Sequence, residues 1–576
     1  MRTIKRDVKP WDFLEKYRGK AFSGEWPTLP EMFKISVSRY PERACFTIYE
    51  PDRISMNYTE VLAKIEAVSR WLRSKGIQKG DKVAVSGKNA PEWGVAYLGV
   101  LFAHATVVPL DYQLKDDEIE LLLKTSKARI LFIDEEKHDR YANNKGNLIE
   151  VISLKKGKGS YIYDLDGESF TENSPVTEND LAAILFTSGT TGTPKGVMLS
   201  HKNLVSDCYL AQGVPFDVYH TDIFYVLLPI HHAYTMLAAF IEPLSQGGEA
   251  VFGKRMVVSA IMHDLKAAKI TVLLGVPMLF NKLIAGILRG VRAKGIMVYG
   301  IISFLMAVSG LIKKTTGVNL GKKLFKAVLD QASLTTLRTC IAGGGPLAPQ
   351  VFRKFNQLGV DFVQGYGLTE TSPIINLNPI EHYKETSVGK VIPGVDMKIL
   401  DPDERGVGEV ILKGPMVMQG YFEMPEETRA TFTEDGYLKT GDLGYLDSEN
   451  YLYLTGRAKN MIVTEGGKNV YPEEIENEFQ LFDEIEQVLV RGYVQDKKKN
   501  AEHIEAVIFP NLEHFKDAGA AMKDQIKERM KAIITEVNQR LQSYQKIEKT
   551  TILDERMEET TTKKIKRKKE DKNNAA

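Results

Sequence analysis

At 576 residues and 43% hydrophobic, the chain is too long for one core and has apolar surface enough for about two to four domains. Lys+Arg total 76 against Asp+Glu 75, a net charge of +1, which excludes a nucleic-acid partner recruited by whole-chain charge. Three cysteines, Cys45, Cys208 and Cys340, lack metal-ligand spacing, and the opening MRTIKRDVKPWDF lacks an apolar signal core, so a reducing, cytoplasmic setting is expected.

Taken in chain order, YTEVLAKIEAVSRWLRSKG (58–76) carries apolar residues at helical spacing and stops on a glycine, and KVAVSG (82–87) reads as a strand. WGVAYLGVLFAHATVVPL (93–110) and ARILFID (128–134) continue this alternation, the pattern of an α/β domain with a mainly parallel sheet. LAAILF (181–186) is a short apolar run that predicts a buried strand, and TSGTTGTPKG (187–196) follows it. A Gly/Thr loop leaving a buried strand, with a basic residue at its far end, suits phosphate. The Walker pattern nevertheless fails: counting from Gly189, the sixth position is Pro194, and Lys195 is followed by Gly196.

Further along, GIMVYGIISFLMAVSGLI (295–312) has eighteen residues without a charge. It lies in a stretch from Lys282 to Lys326 with nine basic residues and no acidic one. A membrane span, a buried hairpin or core helix, and an interfacial helix all fit such a segment. The equal positive flanks and the resumption of the α/β pattern disfavour a span. The expectation is an interfacial helix or helical hairpin that meets an anionic leaflet. From 385 to 455, short β runs such as GEVILKG and YLYLTG suggest a small β unit. After Arg457, PEEIENEFQLF places Pro472 at a first helical position, as expected for a smaller domain. The tail KKIKRKKEDK (563–572) is strongly basic.

Six stretches occur in a characteristic order: TSGTTGTPKG, GGGPL (343–347), QGYGLTE (364–370), YLKTGDLGYLD (437–447), GRAKNMIVTEGGKNVYPEEIE (456–476) and TTTKKIKR (560–567). Together they resemble the adenylate-forming superfamily of acyl-CoA synthetases, peptide-synthetase adenylation domains and beetle luciferases, over nearly the whole chain. The resemblance implies a large α/β N-terminal domain of αβ subdomains plus a small β unit, residues 1–456 with the 282–326 insertion. A smaller, mobile α+β C-terminal domain, 457–576, would follow it.

The same resemblance implies roles. Thr187, Ser188, Gly189, Thr190, Thr191 and Lys195 would hold the β- and γ-phosphates of ATP. Gly343, Gly344, Gly345 and Pro346 would pack on the adenine, with Tyr366 stacked opposite and Gly367 beside it. Thr369 would meet the α-phosphate and Glu370 would hold Mg²⁺, a hard cation that takes oxygen ligands. Asp442 would accept from the ribose hydroxyls and Arg457 would donate to the same sugar. A hinge at Lys459 would swing the small domain, bringing Gly466, Gly467 and Lys468 to a channel for the thiol of coenzyme A. The cation for the α-phosphate aligns on Lys564. Where the family pattern has glycine before that lysine this chain has Lys563, so the register stays open by one residue.

LLPIHHAYTM (227–236) resembles the acyl-channel segment, with His232 and Tyr234 on the pocket wall, and VLLGVPMLFNKLI (272–284) is the next wall. No acidic or amide side chain stands out there as a partner for an amino acid. The expectation is therefore a medium- to long-chain fatty acid, activated with ATP and passed to coenzyme A. Alternatives are transfer to an acyl carrier protein and an inactive membrane-binding scaffold of the same fold. Lys564→Ala is expected to slow adenylate formation by at least about a hundredfold and Lys563→Ala to leave it near wild type. Single-turnover assays of acyl adenylate measure both, and a reversed outcome moves the register by one residue.

Overall fold

The computed structural model describes residues 9–168, 175–187, 194–213, 217–464, 468–480, 482–494, 502–560 and 565–567, with backbone only at 517–521. Local sequence accounts for much of the regular structure. The helix Tyr58–Ser74 is opened by a capping box, in which Asn57 Oδ1 accepts from the Glu60 amide and Glu60 returns the bond to Asn57 N, both at 2.8 Å. Its Val61, Ile65, Val68 and Leu72 are buried along one stripe, and Gly76 beyond it takes φ +78°.

The largest sheet has 13 strands, and its centre positions the site. Six strands, Ala44–Ile48, Glu249–Phe252, Ile223–Val226, Val272–Gly275, Thr339–Ala342 and Asp361–Gly367, run parallel in that spatial order. Asp361–Gly367 then pairs antiparallel with Ile374–Leu377, and every strand beyond is antiparallel. The β runs of 385–455 form the antiparallel part of this assembly, as the expected small β unit, joined to the parallel strands through the strand at 361–367. They extend the parallel sheet, because the strand at 361–367 offers a hydrogen-bonding edge on each side. A second, seven-stranded sheet carries the hairpin Leu181–Thr187 and Lys195–Ser200, which bracket the Gly/Thr loop. A third sheet, Ile485–Val494, Glu502–Pro510 and Lys549–Ile552, packs with the helix Met522–Arg540 around its own core, as a smaller α+β unit.

The uncharged segment forms the helix Ile296–Thr316 after the helix Pro277–Arg292. It is long and apolar enough to cross a membrane, yet it lies against the protein along one side only. Met306, Ser309 and Lys313 are buried, whereas Ile296 (83%), Ile301 (60%), Phe304 (67%) and Leu311 (63%) are exposed. Two of the nine basic side chains serve packing rather than surface charge. Lys313 Nζ donates to Asn356 Oδ1 at 2.7 Å and pairs with Asp361 Oδ1 at 2.5 Å, and Lys322 Nζ donates to the Leu337 carbonyl at 2.7 Å. Close backbone approach adds to the anchor, since a Cβ on Gly310 would meet Gln357 Cγ at 2.6 Å. Lys313→Ala strands Asp361 without its buried cation and is expected to lower stability by about 3 kcal/mol, read by urea unfolding.

Candidate active site

The C-terminal ends of the parallel strands converge on one cleft of about 3510 Å³, several times the roughly 300–1,000 Å³ of a single-ligand pocket. Ligands bind at such strand ends because loops leaving a parallel sheet diverge there. Gly343, Gly344 and Gly345 leave the strand Thr339–Ala342, with Gly344 at φ +79°. A Cβ on Gly343 would meet the Tyr234 ring at 2.9 Å, so glycine lets the loop lie flat on that ring. Tyr234 is itself fixed, its hydroxyl donating to the Ile341 carbonyl at 2.9 Å. Pro346 and Ala348 are tied to Gln480 of the smaller unit, which accepts from Ala348 N at 2.8 Å and donates to the Pro346 carbonyl at 3.0 Å.

On the sugar side, Asp442 and Arg457 sit opposite each other on adjacent strands. Asp442 is 5% exposed, and each of its oxygens is held: the Tyr366 hydroxyl donates to Oδ2 at 2.7 Å and Arg457 Nε meets Oδ1 at 2.8 Å. Burial and the neighbouring carboxylate push the Tyr366 phenol well above its usual range, so it stays a donor. Each Asp442 oxygen keeps a lone pair free for a hydroxyl. Gly367 is forced: a Cβ there would lie 1.6 Å from the Pro373 carbonyl oxygen.

At the phosphate end, Thr187 pairs with Lys195 across the hairpin, and both line the cleft. Thr369 and Glu370 occupy a short helical turn on its wall. The Tyr421 hydroxyl donates to Glu370 Oε1 at 2.9 Å, and Lys195 Nζ stands 4.7 Å from the Tyr421 ring centroid. Tyr421 thus joins the expected metal carboxylate to the expected phosphate lysine. Sequence reasoning missed it, because Gly420–Tyr421 is a two-residue strand with no pattern of its own. No group of three His, Cys, Asp or Glu residues occurs among the described residues. One carboxylate fits Mg²⁺, which needs few protein ligands when substrate phosphates supply the rest.

Ser188, Gly189, Thr190, Thr191, Gly466, Gly467, Lys563 and Lys564 lie outside the described residues. The residues flanking the last two are placed: Thr560, Ile565, Lys566 and Arg567 line the cleft. Ile565 bridges Glu559, and Lys566 N donates to the Glu558 carbonyl at 2.8 Å. Arg567 secures this return by donating to the Val490 carbonyl at 2.7 Å and pairing with Glu476 at 2.5 Å. Burial raises the Glu476 carboxyl to about 7 against the pull of that guanidinium. Lys459 sits in the turn Ala458–Asn460 at the end of the strand Tyr451–Arg457 and lines the cleft. Lys468 is exposed, and its hairpin, Ile462–Val463 with Asn469–Val470, is not on the cleft wall in this arrangement.

On the acyl side, His232 caps the following turn, accepting from Tyr234 N at 3.4 Å, and it lines the cleft. The helical segment then passes through a π-helical stretch, Met236–Ile241. Tyr234, Ala238 and Glu242 from this segment all reach the wall. Glu242 and Gln364 also line the cleft. Burial, with Asp222 adding to it, raises the Glu242 carboxyl to about 8. The signal was present in sequence, since Glu242 is the lone acid in the otherwise uncharged run 233–246.

The glycine loop beside Tyr366, the buried Asp442 carboxylate held by Tyr366 and Arg457, and the Thr187–Lys195 hairpin meet on one cleft, as expected for an adenylate-forming enzyme. The family described as AMP-binding enzyme matches residues 33–422, and the chain belongs to it. It is 28% identical to a long-chain-fatty-acid CoA ligase of Drosophila melanogaster, over 78% of this chain and 72% of the relative. A long-chain-fatty-acid CoA ligase of Bacillus subtilis is 27% identical, over 81% and 82%. A chloroplastic long-chain-fatty-acid acyl-carrier-protein ligase of Arabidopsis thaliana is 27% identical, over 92% and 83%. Among solved structures, ATP-bound MatB from Rhodopseudomonas palustris superposes with TM-score 0.71 at 26% identity, over 94% of this chain and 97% of that one. The anthranilate CoA ligase AuaEII shares the fold, with TM-score 0.74 at 20% identity, over 94% and 96%.

Removing the hydroxyl that supports Glu370, by Tyr421→Phe, is expected to raise the Mg²⁺ concentration for half-maximal activity about tenfold, the weight of one hydrogen bond to a charged group. A magnesium titration at saturating ATP measures it.

Proposed function

We propose that this protein activates a medium- to long-chain fatty acid with ATP and transfers the acyl group to coenzyme A. The observation that carries this reading is one continuous cleft that joins the phosphate hairpin, the Tyr366–Asp442–Arg457 sugar clamp and a largely apolar wall at Tyr234 and Ala238. The acid's carboxylate attacks the α-phosphorus, and pyrophosphate leaves toward Lys195. Asp442 and Arg457 hold the ribose so that the α-phosphate faces the acid, and Tyr234 and the glycine loop exclude water from the adenine side. Glu370 would hold Mg²⁺, which supplies charge neutralisation on the phosphates when bound. Lys564 brings a cation to the same phosphate from a tail whose neighbours Thr560 and Ile565 already line the cleft. Rotation about Lys459 then exchanges that tail for the 466–468 turn, and the thiol attacks the acyl carbonyl, releasing AMP.

The exposed face of the Ile296–Thr316 helix supports a second part of the reading, peripheral contact with an anionic membrane. Ile296, Met297, Ile301 and Phe304 are uncovered, and Arg289, Arg292, Lys294 and Lys314 are exposed around them. The cleft lining extends along the preceding helix through Leu288 and Arg292 to Tyr299, at the foot of this face. A substrate dissolved in the bilayer would be met where it resides.

Product analysis by mass spectrometry, with ATP, Mg²⁺, acids from acetic to eicosanoic and either coenzyme A or acyl carrier protein, tests the reaction. Acyl-CoA and AMP from the longer acids are expected; preference for acetate or an amino acid overturns the fatty-acid reading, and carrier-protein product alone overturns the acceptor. Ile301→Glu with Phe304→Glu is expected to weaken sedimentation with phosphatidylserine vesicles by more than about tenfold while soluble-substrate turnover persists.

A further inference from the structure

We infer that Glu242 forms a hydrogen-bonding subsite on the wall of the acyl pocket, and that the preferred acid carries a hydroxyl group along its chain. The inference rests on the reading of the cleft as the site of an acid-activating enzyme, and it narrows the substrate class.

Glu242 is 1% exposed, lines the cleft, and has its Oε1 buried without a hydrogen-bond partner. Buried polar atoms are nearly always satisfied, so an unsatisfied one on a ligand wall marks a contact that the ligand completes. Its position follows from the helix that carries it. Tyr234 packs on Gly343 and marks the nucleotide end, and Glu242 lies eight residues further along the same helical segment. The intervening Met236–Ile241 stretch is π-helical, a local widening often kept where a side chain must be re-aimed into a site. Ala238, between the two, leaves room for a chain to pass.

The chemistry of the partner follows from charge. Glu242 faces acids and phenols: Asp207 from the helix His201–Gln212, Asp222 before the strand Ile223–Val226, and Tyr234 on its own segment. With its carboxyl raised to about 8, Glu242 is protonated at neutral pH and both donates and accepts. A hydroxyl is the complement of such a group. An ammonium would require the carboxylate form, which the neighbouring acids oppose, and an unsubstituted alkyl chain would leave the carboxyl bare.

The test compares kcat/KM for hexadecanoic acid, its mid-chain and terminal hydroxy derivatives and a terminal amino derivative, using wild type, Glu242→Gln and Glu242→Leu. Wild type is expected to prefer one hydroxy acid over hexadecanoic acid by at least about tenfold, because a site built around a polar group rejects the analogue that lacks it. Glu242→Gln should retain that preference, and Glu242→Leu should abolish it. Equal use of plain and hydroxylated acids by wild type, preference for the amino acid derivative, or retention of the hydroxyl preference in Glu242→Leu overturns the subsite. The wild-type comparison decides even if the leucine variant fails to fold. Activity on plain acids with no hydroxyl preference leaves the proposed function standing, whereas no acid activated by wild type defeats that reading itself.

Discussion

The Asp442 carboxylate joins parts of the chain that otherwise have separate tasks. Tyr366 reaches it from the strand where the sheet changes from parallel to antiparallel, and Arg457 reaches it from the last strand before the smaller unit. A buried carboxylate costs several kcal/mol in desolvation unless it is paired and hydrogen-bonded, so these contacts form together or fail together. Once formed, they fix the Tyr366 ring, the Asp442 carboxylate and the end of the strand that leads into the smaller unit. The same device appears at the phosphate end, where Tyr421 ties Glu370 to Lys195.

Around this rigid centre, the chain places its uncertain chemistry on segments that lean on it. The smaller unit meets the large one through contacts that include Gln480 on the glycine loop and the ion pair of Arg289 with Asp483. Arg567 and Glu476 belong wholly to the smaller unit, so the tail beside Lys564 would travel with it as one body. The apolar helix is treated in the opposite way. Lys313 and Lys322 spend their charge on fastening its C-terminal half to the sheet, which leaves the N-terminal half uncovered without loosening the fold.

How legible this was in the sequence varied with the range of the interaction. The helix read at 58–76, the strand read at 181–186 and the first-turn Pro472 are consequences of a few adjacent residues, and they appear where the sequence places them. The ordered motifs led to the same cleft that the coordinates assemble. The β runs of 385–455 read as a small β unit, and how that unit joins the parallel sheet was not legible because strand partners are not written in any strand. Tyr421 and Glu242 were missed for a related reason: Tyr421 lies in a two-residue strand with no pattern of its own, and Glu242 offered only the weak signal of a single acid in an uncharged run.

The sequence by itself determined most element types and the ordered motifs that mark the family, since periodicity, capping and backbone freedom act over a turn or two of chain. Only the tertiary structure decided which side chains share a site. Burial and pairing depend on residues that lie well apart in the chain: Asp442 is held because Tyr366, 76 positions away, and Arg457 close on it, and the Glu242 carboxyl is raised because the fold buries it near Asp222.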